Sequence, residues 1–156
     1  MRIRPARSAD APAVGELLNQ LGYPQDGRES TAARMRAWLD DAASASFVAE
    51  VQGEIRGVIA VHLCPFFERD GAWGRIVALV VAEEARGGGV GSRLVAAAEA
   101  FAAERGCLRM EVTSADRRAD AHRFYRRLGY ADQAGASSRF LRDLPASPAG
   151  VGIREG

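Results

Sequence analysis

The stretch Leu79-Val80-Val81-Ala82-Glu83-Glu84-Ala85-Arg86-Gly87-Gly88-Gly89-Val90-Gly91-Ser92-Arg93 decides the fold. Its apolar start is typical of a strand, and beyond the glycines apolar residues return at helical spacing in Val90, Leu94 and Val95. A glycine loop between a strand and a helix allows several backbone N–H groups to turn toward one point. At a helix N-terminus such groups bind an anion, assisted by a macrodipole of about half a positive charge. The stretch therefore predicts a phosphate-binding loop.

Two familiar glycine-rich phosphate loops fit this stretch poorly. The dinucleotide-binding fingerprint needs a third glycine where this chain has Leu94. Glu111 lies near the distance at which that fingerprint places an acid, but too few strand–helix units follow the loop for the fold. The P-loop needs a lysine, and the chain contains none. What remains is the pattern Arg-x-x-Gly-x-Gly formed by Arg86, Gly89 and Gly91, or a glycine turn with only a structural role.

The hydrophobic pattern outside the loop predicts an α+β fold with a mixed sheet, in the order β-α-α-β-β-β-α-β-α-β-β. Gln52-Gly53-Glu54 is a turn signal that predicts a hairpin. The helix after the glycine loop should connect two parallel strands. The expected strands cover residues 2–4, 47–51, 55–63, 73–81 and 108–113, with two more at Tyr130 and at 139–141, and the helices begin near residues 8, 30, 90 and 121.

Composition and charge narrow the function classes. The net charge of +1 and the pI of about 7.9 argue against a nucleic-acid partner, which would require a far more basic surface. No apolar run is long enough for a membrane span and no secretory h-region begins the chain, so we expect a cytoplasmic protein without a membrane partner. Cys64 and Cys107 are expected as buried thiols. With His62 and His122 they lack paired-ligand spacing, so no metal site is predicted.

Three segments together resemble the GCN5-related N-acetyltransferase (GNAT) superfamily. The pattern from Arg86 to Gly91 resembles its pyrophosphate-binding loop, and Leu79-Val80-Val81 resembles the strand whose backbone receives the pantetheine arm. Residues 121–130 resemble its second motif, a helix that carries a tyrosine and ends in glycine plus an aromatic residue. The element order fits residues 1–144, the expected acetyltransferase domain, and residues 145–156 are expected to form a disordered tail. Residues 57–144 look closest to aminoalkylphosphonate and similar small-amine N-acetyltransferases.

This resemblance implies an acyltransferase that moves an acetyl group directly from acetyl-CoA, its co-substrate, to a primary amine of a small molecule. It implies no metal, and a homodimer is common in the family. A protein or peptide N-acetyltransferase and a non-catalytic acyl-CoA sensor stay open as alternatives, since relatives often carry carboxylates where this chain has Arg75, Val77 and Ala78. The residues expected to bind the cofactor are Leu79, Val80, Val81, Arg86, Gly87, Gly88, Gly89, Val90, Gly91, Ser92 and His122.

The resemblance implies that Tyr125 is the general acid for the leaving thiolate, although an aromatic residue in the apolar stripe of a helix also serves packing. The general base has two candidates. His62 lies on a strand, where a lone histidine often has a packing role, and Glu68 lies in a polar connection, where a charge is often merely solvated. Glu111 is expected to pair with an arginine.

A group of arginines lies near the fourth helix. We expect a solvated basic face there, or a contact with a phosphate of coenzyme A or an anionic group on the substrate. The members of the group are Arg117, Arg118, Arg123, Arg126 and Arg127.

Overall fold

The protein is represented by a computed structural model that describes residues 1–113 and 119–146. The chain divides into two compact units, Met1–Arg117 and Arg118–Gly156, which we describe separately. The first unit contains β1 (Arg2–Pro5), α1 (Ala11–Gln20, after a 3-10 turn at Ser8–Asp10), α2 (Arg28–Asp40), β2 (Ser44–Val51), β3 (Glu54–Pro65), β4 (Ala72–Val81), α3 (Val90–Glu104) and β5 (Cys107–Val112). The second unit contains α4 (Ala119–Arg127).

The five strands form one mixed sheet in the order β1-β2-β3-β4-β5. The first four pair antiparallel, and β4 pairs parallel with β5 through the α3 crossover, which confirms the predicted mixed sheet. The turn between β2 and β3 places Gln52 and Gly53 at φ values of 53° and 78°. Two positive φ values in a two-residue loop are the type I′ geometry that joins twisted hairpin strands.

The two faces of the sheet carry different helices. An added Cβ at Gly57 would lie 2.9 Å from Leu94 Cδ1, so this glycine allows α3 to approach β3 closely. Neighbouring residues of a strand point to opposite faces. Val58 accordingly packs in a separate buried cluster with residues of α1 and α2, among them Val14, Leu17 and Met35. The odd-numbered residues of β3 from Gly57 onward therefore face α3, and the even-numbered ones face the side of α1 and α2.

The fourth helix ends at a glycine, as predicted. Gly129 has φ 92°, the N–H of Gly129 donates to the carbonyl of Arg126 (3.0 Å), and the N–H of Tyr130 donates to the carbonyl of Tyr125 (3.0 Å). This pair of bonds is a Schellman motif, and the aromatic residue beyond the glycine packs on the last turn, with ring centroids of Tyr125 and Tyr130 5.7 Å apart.

The two final strands expected at Tyr130 and 139–141 are absent from the described residues. Tyr130 is occupied in the helix cap, and a turn follows, in which the N–H of Ala134 donates to the Asp132 carboxylate at 2.9 Å. Phe140 and Leu141 are 93% and 75% exposed. Two adjacent apolar residues point to opposite faces of a strand, so they cannot by themselves bury one face. The expectation of strands there was wrong.

The cysteines are half-buried rather than buried. Cys64 is the penultimate residue of β3 and Cys107 is the first residue of β5, with β4 between them. Both thiols are free, and burial raises the pKa of the Cys107 thiol. Neither cysteine is fully covered because both lie near strand ends. Across the described ranges, no helix is both long and apolar enough to cross a membrane.

Candidate functional site

The first component of the site is an open edge on β4. Pairing between β4 and β5 ends at Ile76 and Val112, so Val77–Val81 has no strand partner on that side in the described part of the chain. At the same point β4 holds an extra residue: Ala78 pairs with Ala60 and Ile76 with Val61, which leaves Val77 unpaired and 53% exposed. A β-bulge of this kind kinks a strand and redirects its backbone groups.

The second component is the glycine loop that follows β4. Gly87 and Gly89 have φ values of 84° and 81°, a conformation that other residues rarely adopt. Space around both positions is open, since an added Cβ would have no neighbour within 4 Å. Among the described residues, no backbone or side-chain acceptor bonds the N–H groups of residues 87–92. Gly89 stands at the N-cap of α3 without a side-chain cap.

This loop could hold an anion such as a diphosphate group. It offers six consecutive N–H donors at the positive end of a 15-residue helix, and such groups bind anions. Val90 is 4% exposed and anchors the first turn of α3 in the core, while Arg86 is exposed at the mouth of the loop. The loop residues that the sequence predicted, 86–92, follow the open edge formed by Leu79, Val80 and Val81 after a short connection that contains a 3-10 turn at Glu83–Ala85.

The third component is a polar row across the sheet. His62 lies opposite Ser44 on β2 and opposite Arg75 on β4, and Arg75 lies opposite Glu111 on β5. Opposite residues in a sheet share a face. His62 has an even number on β3, so the row projects on the side of α1 and α2, where the Trp38 ring meets the imidazole edge-on at 6.3 Å. Glu111 pairs with Arg75 at 3.7 Å, as predicted.

His62 is connected to the end of α2 by hydrogen bonds. Ser44 Oγ lies 2.9 Å from His62 Nδ1, and it donates to Asp41 Oδ2 at 3.0 Å. Asp41 Oδ1 accepts the N–H of Ala43 at 2.9 Å. The Ala43 N–H, followed by the Ser44 hydroxyl, lowers the pKa of the Asp41 carboxyl below its ordinary value. This carboxylate is therefore held in its ionised form beside the histidine.

Glu68 lies in the loop between β3 and β4, away from the bulge at Val77. It is exposed in the loop before β4, which the N–H of Phe66 closes on the carbonyl of Gly71 at 2.9 Å. Ala72, the first residue of β4, lies five positions before the bulge at Val77, a length of about 16 Å. His62, by contrast, lies opposite Arg75, only two residues from the bulge.

The second unit carries the two remaining predicted side chains. His122 and Tyr125 lie on α4, both partly buried, and the Tyr125 ring contacts Phe124 with a centroid distance of 5.1 Å. Two arginines of the basic group form ion pairs within this unit, Arg123 with Asp120 and Arg126 with Asp132. Arg117 and Arg118 lie outside the described residues.

Sequence reasoning missed the bulge at Val77 and the pair Asp41 and Ser44. No local signal marks the bulge, because valine in an apolar run is ordinary for a strand. Ser44 could be placed beside His62 only with the register of β2 and β3 known. Within the described ranges, no three His, Cys, Asp or Glu side chains are grouped so that they could hold a metal ion.

Comparison with known proteins supplies the family. Residues 12–130 match the model of the Acetyltransferase (GNAT) family. An uncharacterized N-acetyltransferase of Bacillus subtilis, YhfO, is 32% identical over 145 residues, which cover 86% of this chain and 93% of the relative. An aminoalkylphosphonate N-acetyltransferase of Salmonella typhimurium is 42% identical over 79 residues. That match covers 50% of this chain and spans about half of the relative, 51% of its length.

A solved structure shows the same fold. The crystal structure of a transcriptional regulator from Bacillus halodurans C-125 superimposes with a TM-score of 0.80 and is 27% identical. The alignment covers 92% of this chain and 98% of that protein.

Proposed function

The chain belongs to the GNAT family of acetyltransferases, and on that premise we propose that it acetylates the primary amine of a small molecule, with acetyl-CoA as the donor. The observation that carries the proposal is the open edge of β4 continuing into a loop of unbonded N–H groups. In the overall reaction an N–C bond forms and a C–S bond breaks. Of the two protons that the ammonium group loses, one goes to the thiolate and the other to solvent.

The donor would be held mainly by main-chain groups. We assign the N–H groups of residues 87–92 to its diphosphate, with Arg86 beside them, and the unpaired backbone of Leu79–Val81 to its pantetheine arm. When bound, acetyl-CoA supplies an acetyl group activated as a thioester. A backbone N–H of the open edge would polarise the thioester carbonyl, because a fixed donor stabilises an oxygen that gains negative charge.

The acceptor must lose a proton before it can react. An alkylamine with a pKa of about 10.4 is almost wholly protonated at pH 7, and its deprotonation costs about 4.6 kcal/mol. We propose His62 as the general base because it lies opposite a residue only two positions from the bulge. Glu68, the other candidate, lies beyond the far end of β4 and is the weaker assignment.

We assign Tyr125 as the general acid that protonates the thiolate. We assign His122 to the residues that bind the cofactor. Both assignments rest on the likeness of residues 121–130 to the second motif of the family. The phenol of tyrosine can donate a proton to a developing thiolate.

The relative and two charged residues support a proposal for the class of acceptor. The aminoalkylphosphonate enzyme acts, by its name, on an amine that carries an anionic group. Arg75 and Arg109 are exposed residues on β4 and β5, and Arg109 also lies over the Phe66 ring at 5.4 Å. We therefore propose small amines that bear a phosphonate or carboxylate as the first acceptors to test.

Calorimetric titration with acetyl-CoA and thiol release with a panel of amines test this function. Gly89→Glu places a side chain at φ 81° and a negative charge in the anion loop, so we expect affinity for acetyl-CoA to fall at least about 10-fold, or 1.4 kcal/mol. Gly106→Glu is the matched control, because Gly106 has φ 80° and equally open space but lies past the other end of α3. Equal affinity of the wild type and Gly89→Glu, or no turnover with any amine, would overturn the proposal.

A further inference from the structure

A chain of three polar side chains connects the end of α2 with the middle of the sheet. Asp41 follows α2, Ser44 opens β2 and His62 lies in β3. The contacts are 3.0 Å from Ser44 Oγ to Asp41 Oδ2 and 2.9 Å from Ser44 Oγ to His62 Nδ1. The carboxylate of Asp41 also lies 3.8 Å from Nδ1 itself.

The chemistry of these groups fixes where the protons lie. An ionised carboxylate only accepts hydrogen bonds, so the single proton of the Ser44 hydroxyl points to Asp41. The serine oxygen can then only accept from the imidazole. The proton of neutral His62 must therefore lie on Nδ1, and Nε2 must carry the free lone pair. The N–H of Ala43 in turn orients the Asp41 carboxylate. The donor and the acceptor of each hydrogen bond between Asp41, Ser44 and His62 are therefore fixed.

The position of His62 makes this tautomer useful. Its side chain is 39% exposed and faces the same side of the sheet as Arg75, the residue two positions before the bulge of β4. Trp38 contacts the ring edge-on and restricts its rotation. An acceptor amine that approaches the bulge from this face would meet the partly exposed imidazole of His62. Because Nδ1 bonds to Ser44, the unprotonated nitrogen of that ring is Nε2.

We infer that Asp41 and Ser44 are positioning residues that hold His62 with Nε2 ready to accept a proton from the substrate ammonium group. The inference rests on the proposed function, in which His62 is the catalytic base. The N–H bond of the ammonium group breaks, its electron pair stays on the amine nitrogen, and the proton forms a bond to Nε2. The resulting imidazolium is stabilised by the Asp41 carboxylate, and it later releases the proton to solvent.

The decisive variants are Ser44→Val and Ser44→Thr, because valine and threonine have nearly the same shape and differ by the hydroxyl. We expect Ser44→Thr to retain kcat/KM within about 2-fold. Ser44→Val should lose about 10-fold, a part of the roughly 10²- to 10⁴-fold that a general base contributes. His62→Gln should lose more, and KM for acetyl-CoA should not change in any of the three.

A second readout follows the proton directly. The chain has two histidines, so ¹⁵N spectra of the imidazole rings in the His122→Gln background report on His62 alone. We expect the Nδ1–H tautomer in that background and in its Ser44→Thr derivative, and a shift toward Nε2–H with Ser44→Val. An active wild type, together with a Ser44→Val variant that keeps both its rate and its tautomer, would overturn this inference alone. A wild type that acetylates no amine would overturn the proposed function itself.

Discussion

Tyr125 is the single residue on which proton transfer to the leaving group depends in the proposed mechanism. Tyr125→Phe removes only the hydroxyl and keeps the ring that packs on Tyr130, so the helix cap should survive. We expect kcat to fall about 10- to 100-fold, at or below the low end of acid–base effects. Steady-state kinetics with a saturating amine measure the effect.

Phe124→Leu is a suitable comparison for that variant, because it alters the ring that packs on Tyr125 and leaves the Tyr125 hydroxyl in place. It should change kcat by less than Tyr125→Phe does. If turnover of Tyr125→Phe equals that of the wild type, Tyr125 has no part in the chemistry.

At the scale of elements, the packing of α3 on the sheet depends on Gly57. An added Cβ would lie 2.9 Å from Leu94 Cδ1 and 3.0 Å from Val90 Cγ1, and both residues are buried at the start of the helix that carries the anion loop. Gly57→Val should lower the free energy of unfolding by about 1–3 kcal/mol through overpacking. Denaturant titration measures this loss.

Gly88→Val serves as the control for stability, because an added Cβ at Gly88 would have only ordinary contact with the carbonyl of Ala85 at 3.4 Å. It should lower stability by less than Gly57→Val. Equal stability of Gly57→Val and the wild type would mean that α3 does not need this close approach.

The elements differ in how far the sequence predicts them. The glycine loop, the four helices and the hairpin turn all carry local signals, namely positive-φ residues and apolar residues at helical spacing, and each is found at its expected place. The two β-bulges, one in β3 and one in β4, have no local sequence signal. Arg56 is extra in β3, so Ala49 pairs with Gly57 while Glu50 pairs with Ile55, and Val77 is extra in β4.

The two bulges explain why the sequence identified His62 as a candidate base but did not identify the residues opposite it, Ser44 and Arg75. Uninterrupted pairing outward from the β2–β3 turn would have placed Ser44 opposite Val61 rather than His62. Uninterrupted pairing of β4 would have placed Arg75 opposite Leu63, on the other face. The register is set by the whole sheet packing against α1, α2 and α3, which a single-sequence pattern does not contain.

At the scale of the whole molecule, resistance to acid depends on a buried ionic group at the N-terminal strand. Arg4 donates two hydrogen bonds of 2.8 Å to the Asp10 carboxylate and one of 2.6 Å to Glu50, and both Arg4 and Asp10 are buried. The bonds from Arg4 hold the pKa of the Asp10 carboxyl below its ordinary value. A lowered carboxyl pKa stabilises the fold above the unfolded-state pKa of about 3.9, and this contribution is lost as the pH falls through the folded-state value.

Asp10→Asn should therefore lower the free energy of unfolding at pH 7 by about 3–5 kcal/mol, the usual loss when one partner of a buried pair is removed. The difference from the wild type should shrink as the pH falls below about 4. Thermal unfolding at a series of pH values measures both effects. Asp26→Asn, an exposed carboxylate, should change stability by no more than about 0.5 kcal/mol, and an equal loss from both variants would contradict this account.

The single extra residues in β3 and β4 also have a consequence for anyone who redesigns this scaffold. Deletion of Arg56 and Val77 would give two regular ladders of paired residues. It would also rotate each shortened strand by one step relative to its neighbours and separate the serine, histidine and arginine that now share a face. In this protein the two irregular positions determine which side chains become neighbours, so a regularised sheet would lose the arrangement on which the proposed proton transfer depends.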